Sequence, residues 1–349
     1  MCVSPNLVKN PYRSNSPFIA RLKEKYPFLY DFESEYVYVP CGKCIECVQS
    51  AQSSFVQRAV VTSLDHYVFF ATLTLNDDAL SHIDICDKDF VYFDIALFQR
   101  FMKIFRNKFE REFAYAFFSE YGGMKHRPHA HLLFFVRQNE GDTETTPYIL
   151  ENQLYMYFRD NWSRNVGTRK NPVYVPNFTF AQRGKYSNFD FHYVNPRLTD
   201  NQEYDVIYYA SKYMMKFDSF IIDTFVKMRS FYEDNHTYLS KRALIRPKSL
   251  ISKNLGLLTD IEKDYIKKCI TQSFIDNETS FKFYSPFTCR KWNLSQYYMK
   301  RCISNQQLND MHKNNPDFFY NNIKYKHTSI DRGKRILRDM DKRNNDNFL

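Results

Sequence analysis

The segment His126-Arg127-Pro128-His129-Ala130-His131-Leu132-Leu133-Phe134-Phe135 holds the sharpest chemistry in this chain. On a strand, residues i and i+2 face one side, so His129 and His131 project together while Ala130 points into a core. Two neutral imidazoles on one face can bind a divalent metal, and a third ligand must then come from a neighbouring strand. Glu120 stands on the preceding strand of a proposed hairpin, whose geometry can bring it alongside. For an isolated His-x-His, two partly exposed histidines without metal are the simpler reading. The acidic residue one strand away moves the balance toward a metal. His126, in the turn, is the weaker candidate and has a solvated reading.

A second constellation is Tyr208-Tyr209-Ala210-Ser211-Lys212-Tyr213-Met214-Met215-Lys216. On a helix Tyr209 and Tyr213 are i and i+4 neighbours, with Lys212 and Lys216 forming an adjacent basic stripe. A phenol has a pKa near 10 and is a poor nucleophile unless activated. A metal that polarises a phosphodiester, with lysines screening its charge, would let tyrosinate attack phosphorus. Aromatic residues at helical spacing are usually core, and Tyr208, about 100° around the helix, is assigned there. Co-occurrence with the upstream histidine pair is what raises Tyr209 and Tyr213 above that reading.

Cys41, Cys44 and Cys47 form C-x-x-C-x-x-C. Zinc takes four ligands and C-x-x-C is a common half-site, so Cys2 or His66 would complete it. Reduced thiols without metal are the alternative. An iron–sulfur cluster is disfavoured because the four-cysteine run is absent. Cys86, Cys269, Cys289 and Cys302 are scattered and read as ordinary.

These side chains need elements to position them. A helix is expected over Ile45 to Leu64, and the run Tyr67 to Leu75 reads as a buried strand bounded by Asn76-Asp77-Asp78. A helix fits Asp94 to Phe113, with Leu97, Phe101, Ile104, Phe105 and Phe109 at core spacing. Strands over Phe113 to Glu120 and His129 to Val136 form the antiparallel hairpin. Further expectations are a helix over Leu150 to Ser163, strands over Pro172 to Ala181 and Asn188 to Val194, and a helix over Glu203 to Lys216. Alternating apolar patterns in this order favour an α+β fold on an antiparallel sheet. The expected organisation is an N-terminal cysteine-containing segment and helix (1–64), a core (65–218) and a mostly helical C-terminal extension (219–349), with nothing catalytic after 257.

Composition narrows the class. Lys and Arg outnumber Asp and Glu by 49 to 39, and aromatics make up 18% of the 349 residues, so a well-cored basic protein is expected rather than a disordered one. The longest apolar stretch is far shorter than the ~20 residues of a spanning helix. No secretory signal is expected, and the cysteine usage suggests a reducing compartment. The chain has 8 glycines, and its Gly-Lys pairs lack the surroundings of a P-loop, which disfavours an ATP-driven motor. Basic residues interleaved with aromatics suit single-stranded nucleic acid. Arg183-Gly184-Lys185-Tyr186 and Lys241 to Lys248, including Arg246, are candidate tracks. Lys216 and Arg127 are further candidate DNA contacts, and the tail Arg332 to Arg343 is basic but diluted by Asp339 and Asp341.

Taken in order, these motifs resemble the rolling-circle replication initiators of the HUH endonuclease superfamily, above all those of small single-stranded DNA bacteriophages, the microviruses of gokushovirus type. Phe70-Ala71-Thr72-Leu73-Thr74-Leu75 resembles the first, structural motif, and His129-Ala130-His131 the histidine-hydrophobic-histidine motif, with alanine small for its middle position. Tyr209 to Lys216 resembles the two-tyrosine motif, and Pro40 to Cys47 the cysteine-rich N-terminal segment. Coverage is about 1–216, weaker through Pro247 to Gly256. The resemblance implies a ferredoxin-like or palm-like HUH sheet with flanking helices, and Mg²⁺ or Mn²⁺ held by His129, His131 and Glu120. It further implies tyrosine attack leaving a free 3′-hydroxyl and a 5′-phosphotyrosine, with Lys212 orienting phosphate or shuttling a proton. The second tyrosine would cleave the regenerated origin of the replicative form, and the freed end would rejoin. Phage origin DNA, a host helicase and host DNA polymerase are the implied partners, with no membrane, in the bacterial host cytoplasm. Competing readings are a non-catalytic single-stranded DNA-binding protein, a structural zinc protein and a single-tyrosine HUH transposase.

Overall fold

In the computed structural model the β-branched and aromatic run near residue 70 forms the strand His66–Leu73. The structure describes residues 5–25, 32–42, 44–123, 125–177, 189–194, 202–214, 219–287 and 291–314. His66–Leu73 lies in a five-stranded, wholly antiparallel sheet. The strands run in the order Phe189–Val194, His66–Leu73, Pro128–Arg137, Phe113–Tyr121, Ser249–Ile251. The strand carrying the histidines is therefore central, flanked by the strand of Glu120 and by that of Thr72. The mixed helix and sheet content makes the fold α+β.

One face of this sheet is the core. Phe69, Ala71 and Leu73, Tyr115 and Phe117, and Ala130, Leu132, Phe134 and Val136 all bury there at period two. The helices Ile95–Lys108 and Thr146–Asn161 supply Phe98, Phe101, Met102, Phe105, Leu150, Leu154 and Phe158 to the same cluster. The first of them starts on Asp94, whose carboxylate accepts from the Ala96 amide, and ends at Lys108 rather than running to Phe113. Its buried stripe is also one step off the expected one: Phe98 and Met102 are buried, whereas Ile104 is 52% exposed. The stripe follows the larger aromatic rings, with Phe98 stacked on Phe117 at 4.2 Å and Phe101 on Trp162 at 5.1 Å.

Other boundaries shift modestly. The helix at Ile45 ends at Thr62, the helix before Trp162 ends at Asn161, and the tyrosine-bearing helix spans Gln202–Lys212. The strand expected over Pro172 to Ala181 is the short Tyr174–Pro176. It pairs with Ser163–Asn165 in a separate hairpin rather than in the main sheet, and residues 178–181 lie outside the described residues. Two elements were not anticipated: the hairpin Ser81–Ile85 with Lys88–Tyr92, and the edge strand Ser249–Ile251. The former turns through Cys86 and Asp87 with φ of 53° and 58°, the left-handed pair of a two-residue hairpin turn, without a glycine to announce it.

The described chain divides into two compact units, one of Arg58–Glu262, which holds the sheet, and one of the described residues on either side of it. In the second, Asn6–Lys9 pairs with Tyr36–Val39 and Lys282–Tyr284 with Lys291–Asn293. The buried Gln57 amide there donates to Asn293 O and accepts from the Ser295 amide, so all three groups are satisfied. Among the described residues no helix is long and apolar enough to cross a membrane.

Candidate active site

Sheet register builds the first half of the site. Glu120 lies directly opposite His129, and Thr72 and Phe118 flank His131 on either side. Because Ala130 buries on the core face, His129 and His131 emerge on the opposite face together with Glu120, Thr72 and Phe70. Glu120 Oε1 sits 2.7 Å from His129 Nε2 and 3.1 Å from His131 Nε2. The three donor atoms fall within 4.8 Å of one another. Glu120 and His131 are buried and His129 is partly exposed, so the cluster opens on one side.

The far ring nitrogens are held as well. His129 Nδ1 lies 3.2 Å from the Arg127 carbonyl and His131 Nδ1 lies 3.4 Å from Thr72 Oγ1. A proton on Nδ1 of His129 satisfies the carbonyl and leaves the Nε2 lone pair toward Glu120, the arrangement that orients metal-binding imidazoles. This donor set of two nitrogens and one carboxylate fits a divalent cation with open positions, and the same set also serves iron. Protonated instead, the same Nε2 atoms donate to the Glu120 carboxylate.

The helix Gln202–Lys212 and its last turn supply the second half. The Tyr213 ring stacks on His131 with centroids 4.0 Å apart, and the Tyr209 ring meets Phe70 edge-on at 6.1 Å. Tyr213 donates its hydroxyl hydrogen to Tyr209 Oη. Burial pushes the Tyr213 phenol well above its ordinary value, and the hydrogen bond to Tyr209 and the nearby charges of Tyr209 and Glu120 push the same way. Tyr209 is 45% exposed, and the Lys212 ammonium lies 5.9 Å from its ring centre. The helix is anchored by Ile207, Ala210 and Ser211, all buried, with Ser211 Oγ donating to Tyr208 O. Tyr208, assigned to the core from its position around the helix, is instead 42% exposed, because the buried stripe falls on those smaller residues.

The neighbouring loop is braced rather than free. Arg127 pairs with Asp77 and donates to Leu75 O, so its guanidinium holds the loop after Leu73 to the turn before His129. It is thus a brace, not an unengaged DNA contact. His126, read as solvated, has φ of 49° and stacks on Phe220 at 3.9 Å, with a buried Nδ1. In the Lys241–Lys248 track, Lys241 is drawn to Asp84 and Tyr232, Arg242 to Tyr238, and Lys248 to Ala243 O, whereas Arg246 is exposed. Lys185, Lys216 and the 332–343 tail lie outside the described residues.

Of the cysteines, Cys41, Cys44 and Cys47 bring their sulfurs within 4.8 Å of one another. Gly42 takes φ of 69°, and the Cys44 amide donates to Cys41 Sγ at 3.2 Å, so the turn wraps its first sulfur. Cys2 lies outside the described residues. His66 is committed elsewhere: its Nδ1 is 2.7 Å from Asp65 Oδ1 and 3.7 Å from Glu262 Oε1, in a buried trio that sequence reasoning missed. Its members are too far apart along the chain for any local spacing to reveal.

Residues 68–218 match the family model for the replication-associated protein called ORF2 or gene 2 protein. That segment contains Glu120, His129, His131, Tyr209 and Tyr213, and the match is consistent with a rolling-circle replication initiator of microvirus type. Neither a curated protein nor a solved structure matches the chain.

Proposed function

We propose that this chain, whose central segment matches replication-associated proteins, is a two-tyrosine HUH-type endonuclease that nicks phage origin DNA and starts rolling-circle replication. The observation that carries the reading is one juxtaposition: a carboxylate between two imidazole Nε2 atoms, with a tyrosine ring 4.0 Å from one imidazole and a second tyrosine bonded to the first. An iron oxygenase or a plain single-stranded DNA-binding protein has no use for that tyrosine pair. A single-tyrosine transposase would need only one of them.

Glu120, His129 and His131 would hold Mg²⁺ or Mn²⁺, which when bound neutralises charge on the scissile phosphate. The chain's own part is positioning and proton handling. A tyrosine oxygen attacks phosphorus and loses its proton to solvent. The P–O3′ bond breaks, and the 3′-oxygen takes up a proton to become the hydroxyl a polymerase extends. The 5′-phosphate stays on tyrosine as a phosphodiester. In the second step the other tyrosine cleaves the regenerated origin, and the freed 3′-hydroxyl attacks the first phosphotyrosine and releases it. One phosphodiester is made for each one broken, so no nucleotide cofactor is needed for joining. Lys212, beside Tyr209, screens the phosphate. The cysteine trio is assigned to a structural Zn²⁺, with a fourth ligand from elsewhere in the chain. The host supplies helicase and polymerase.

The test is incubation of the full chain with a labelled single-stranded origin oligonucleotide and Mn²⁺. A covalent protein–DNA adduct that survives denaturation is expected. Tyr209→Phe with Tyr213→Phe should abolish it, and His129→Ala should lower its rate by about 10²-fold or more, on the order of what a charge-stabilising group contributes. An adduct that persists in the double tyrosine variant would sink the assignment.

A further inference from the structure

The hairpin formed by Ser163–Asn165 and Tyr174–Pro176 stands apart from both the core and the site, and its chemistry is one-sided. From Asn161 through Phe189 the sequence contains no Asp or Glu, while Arg164, Arg169 and Lys170 fall within the hairpin. Arg169 and Lys170 are exposed at its tip. Val166, Val173 and Tyr174 are exposed too, Tyr174 at 67%. A surface hairpin that shows a phenol ring and two valines to solvent beside unopposed cations contributes little to folding by doing so.

Its tip is nevertheless built rather than loose. Asn165 Oδ1 accepts from both the Gly167 and Val173 amides at 2.9 Å, and the Val166 amide donates to Val173 O at 2.8 Å. The Asn171 amide donates to Thr168 Oγ1. At Gly167 a Cβ would collide with Asn171 O and lie 2.7 Å from the Val173 amide, so glycine is required for the tip to close. A preorganised loop loses little conformational freedom when something binds it.

The foot of the hairpin is fixed to the catalytic end of the sheet. The Asn76 amide donates to Asn177 O at 2.8 Å, and its side chain donates to Pro176 O. Arg164 reaches to 3.7 Å from Asp78. Asn76 to Asp78 is the same short segment that Arg127 grips just before His129. Thus one loop joins the hairpin's foot to the turn that carries the histidines.

We propose that this hairpin is a second DNA-contacting element, in which Arg169 and Lys170 engage backbone phosphates and Tyr174 stacks on a base of the strand leaving the cleavage site. The inference rests on the nuclease reading for its ligand class, but its test does not depend on cleavage. An acid-free cationic tip next to an exposed aromatic ring fits a phosphate–base polymer, since cations follow phosphates and rings stack on bases. An acidic protein partner would explain the cations but gives the exposed ring nothing to stack on.

The experiment measures fluorescence anisotropy of a labelled mixed-sequence single-stranded DNA oligonucleotide with the full chain. Tyr209→Phe/Tyr213→Phe is present throughout, so that binding is read without chemistry. Arg169→Ala/Lys170→Ala is expected to flatten the slope of log K against log [salt] by about 1.4, two phosphate contacts' worth. Tyr174→Ala is expected to weaken binding about 5- to 150-fold, and Tyr174→Phe, which keeps the ring, to bind like the parent. Thermal melts confirm that each variant is folded. An unchanged salt slope together with unchanged affinity in Tyr174→Ala would overturn the proposal, as would loss of binding in Tyr174→Phe equal to that in Tyr174→Ala. Adduct formation, measured separately in the tyrosine-containing chain, reports on the nuclease reading alone: a chain that forms no adduct but shows the expected binding losses keeps the hairpin and loses the nuclease.

Discussion

Tyr209 and Tyr213 differ in ways that bear on their order of use. Tyr213 lies flat against His131 and gives its hydrogen to Tyr209, so Tyr209 Oη already has a donor waiting for the charge it would carry as phenolate. Lys212 stands over the Tyr209 ring, and Tyr213 is the phenol that burial holds above its ordinary value. Tyr209 is therefore expected to make the first cut. Tyr209→Phe should slow single-turnover adduct formation by at least about tenfold more than Tyr213→Phe, since one charge-bearing hydrogen bond is worth ~1.5–3 kcal/mol. Equal rates in the two single variants would remove the distinction. The residues of this site were readable from sequence because each pair is local: i, i+2 on a strand, i, i+4 on a helix, and Glu120 across one short hairpin. Tyr208 was misplaced because helical position gives an angle, and only the packed neighbours say which angle is inside. Arg127 was misjudged for the same reason, since its partners Leu75 and Asp77 lie on another strand's exit.

At the scale of elements, the antiparallel hairpin was legible within a residue or so at each end: Phe113–Tyr121 and Pro128–Arg137 against Phe113–Glu120 and His129–Val136. Strand alternation with one anchored face fixes register, because a one-residue slip would bury both histidines. The helix Ile95–Lys108 was found but its inward face was rotated, since Leu97, Ile104 and Phe98 are all apolar and periodicity alone does not rank them. Packing does: Phe98 is fully buried against Phe117 and Trp162, whereas Ile104 is half exposed. Phe98→Ala should destabilise the chain by ~3–5 kcal/mol in urea unfolding, and Ile104→Ala by ~0.5 kcal/mol or less. Similar losses in the two would contradict the observed face. The edge strand Ser249–Ile251 and the Cys86-Asp87 turn escaped because three residues are too few for a periodic signal, and a left-handed turn without glycine has no compositional mark.

For the molecule as a whole, the buried trio of Asp65, His66 and Glu262 is the long-range tie that no sequence pattern announced, and it makes stability depend on pH. Burial pushes the Glu262 carboxyl up to about 7 from an ordinary 4.5, helped by the charge of Asp65 and opposed by the Leu258 amide, His66 and Thr62. Asp65 goes the other way. Burial raises it, but its hydrogen bonds to His66 and Thr259 and the charges of His66 and Arg137 together hold it below 3.8. Its contribution is thus present above that value and lost only in stronger acid. Between pH 4.5 and about 7 Glu262 dominates: the folded chain binds its proton more tightly than the unfolded chain does, so that contribution is fully present below 4.5 and lost as pH rises through 7. The unfavourable effect of ionising it in the folded chain is at most ~3 kcal/mol. Melting temperature is therefore expected to fall from about pH 5 to pH 8. In Glu262→Gln, which keeps an acceptor for the Leu258 amide and cannot ionise, that fall should be markedly flatter. A wild-type slope in the variant would mean that the trio keeps Glu262 ionised across the range, with its charge balanced by a protonated His66.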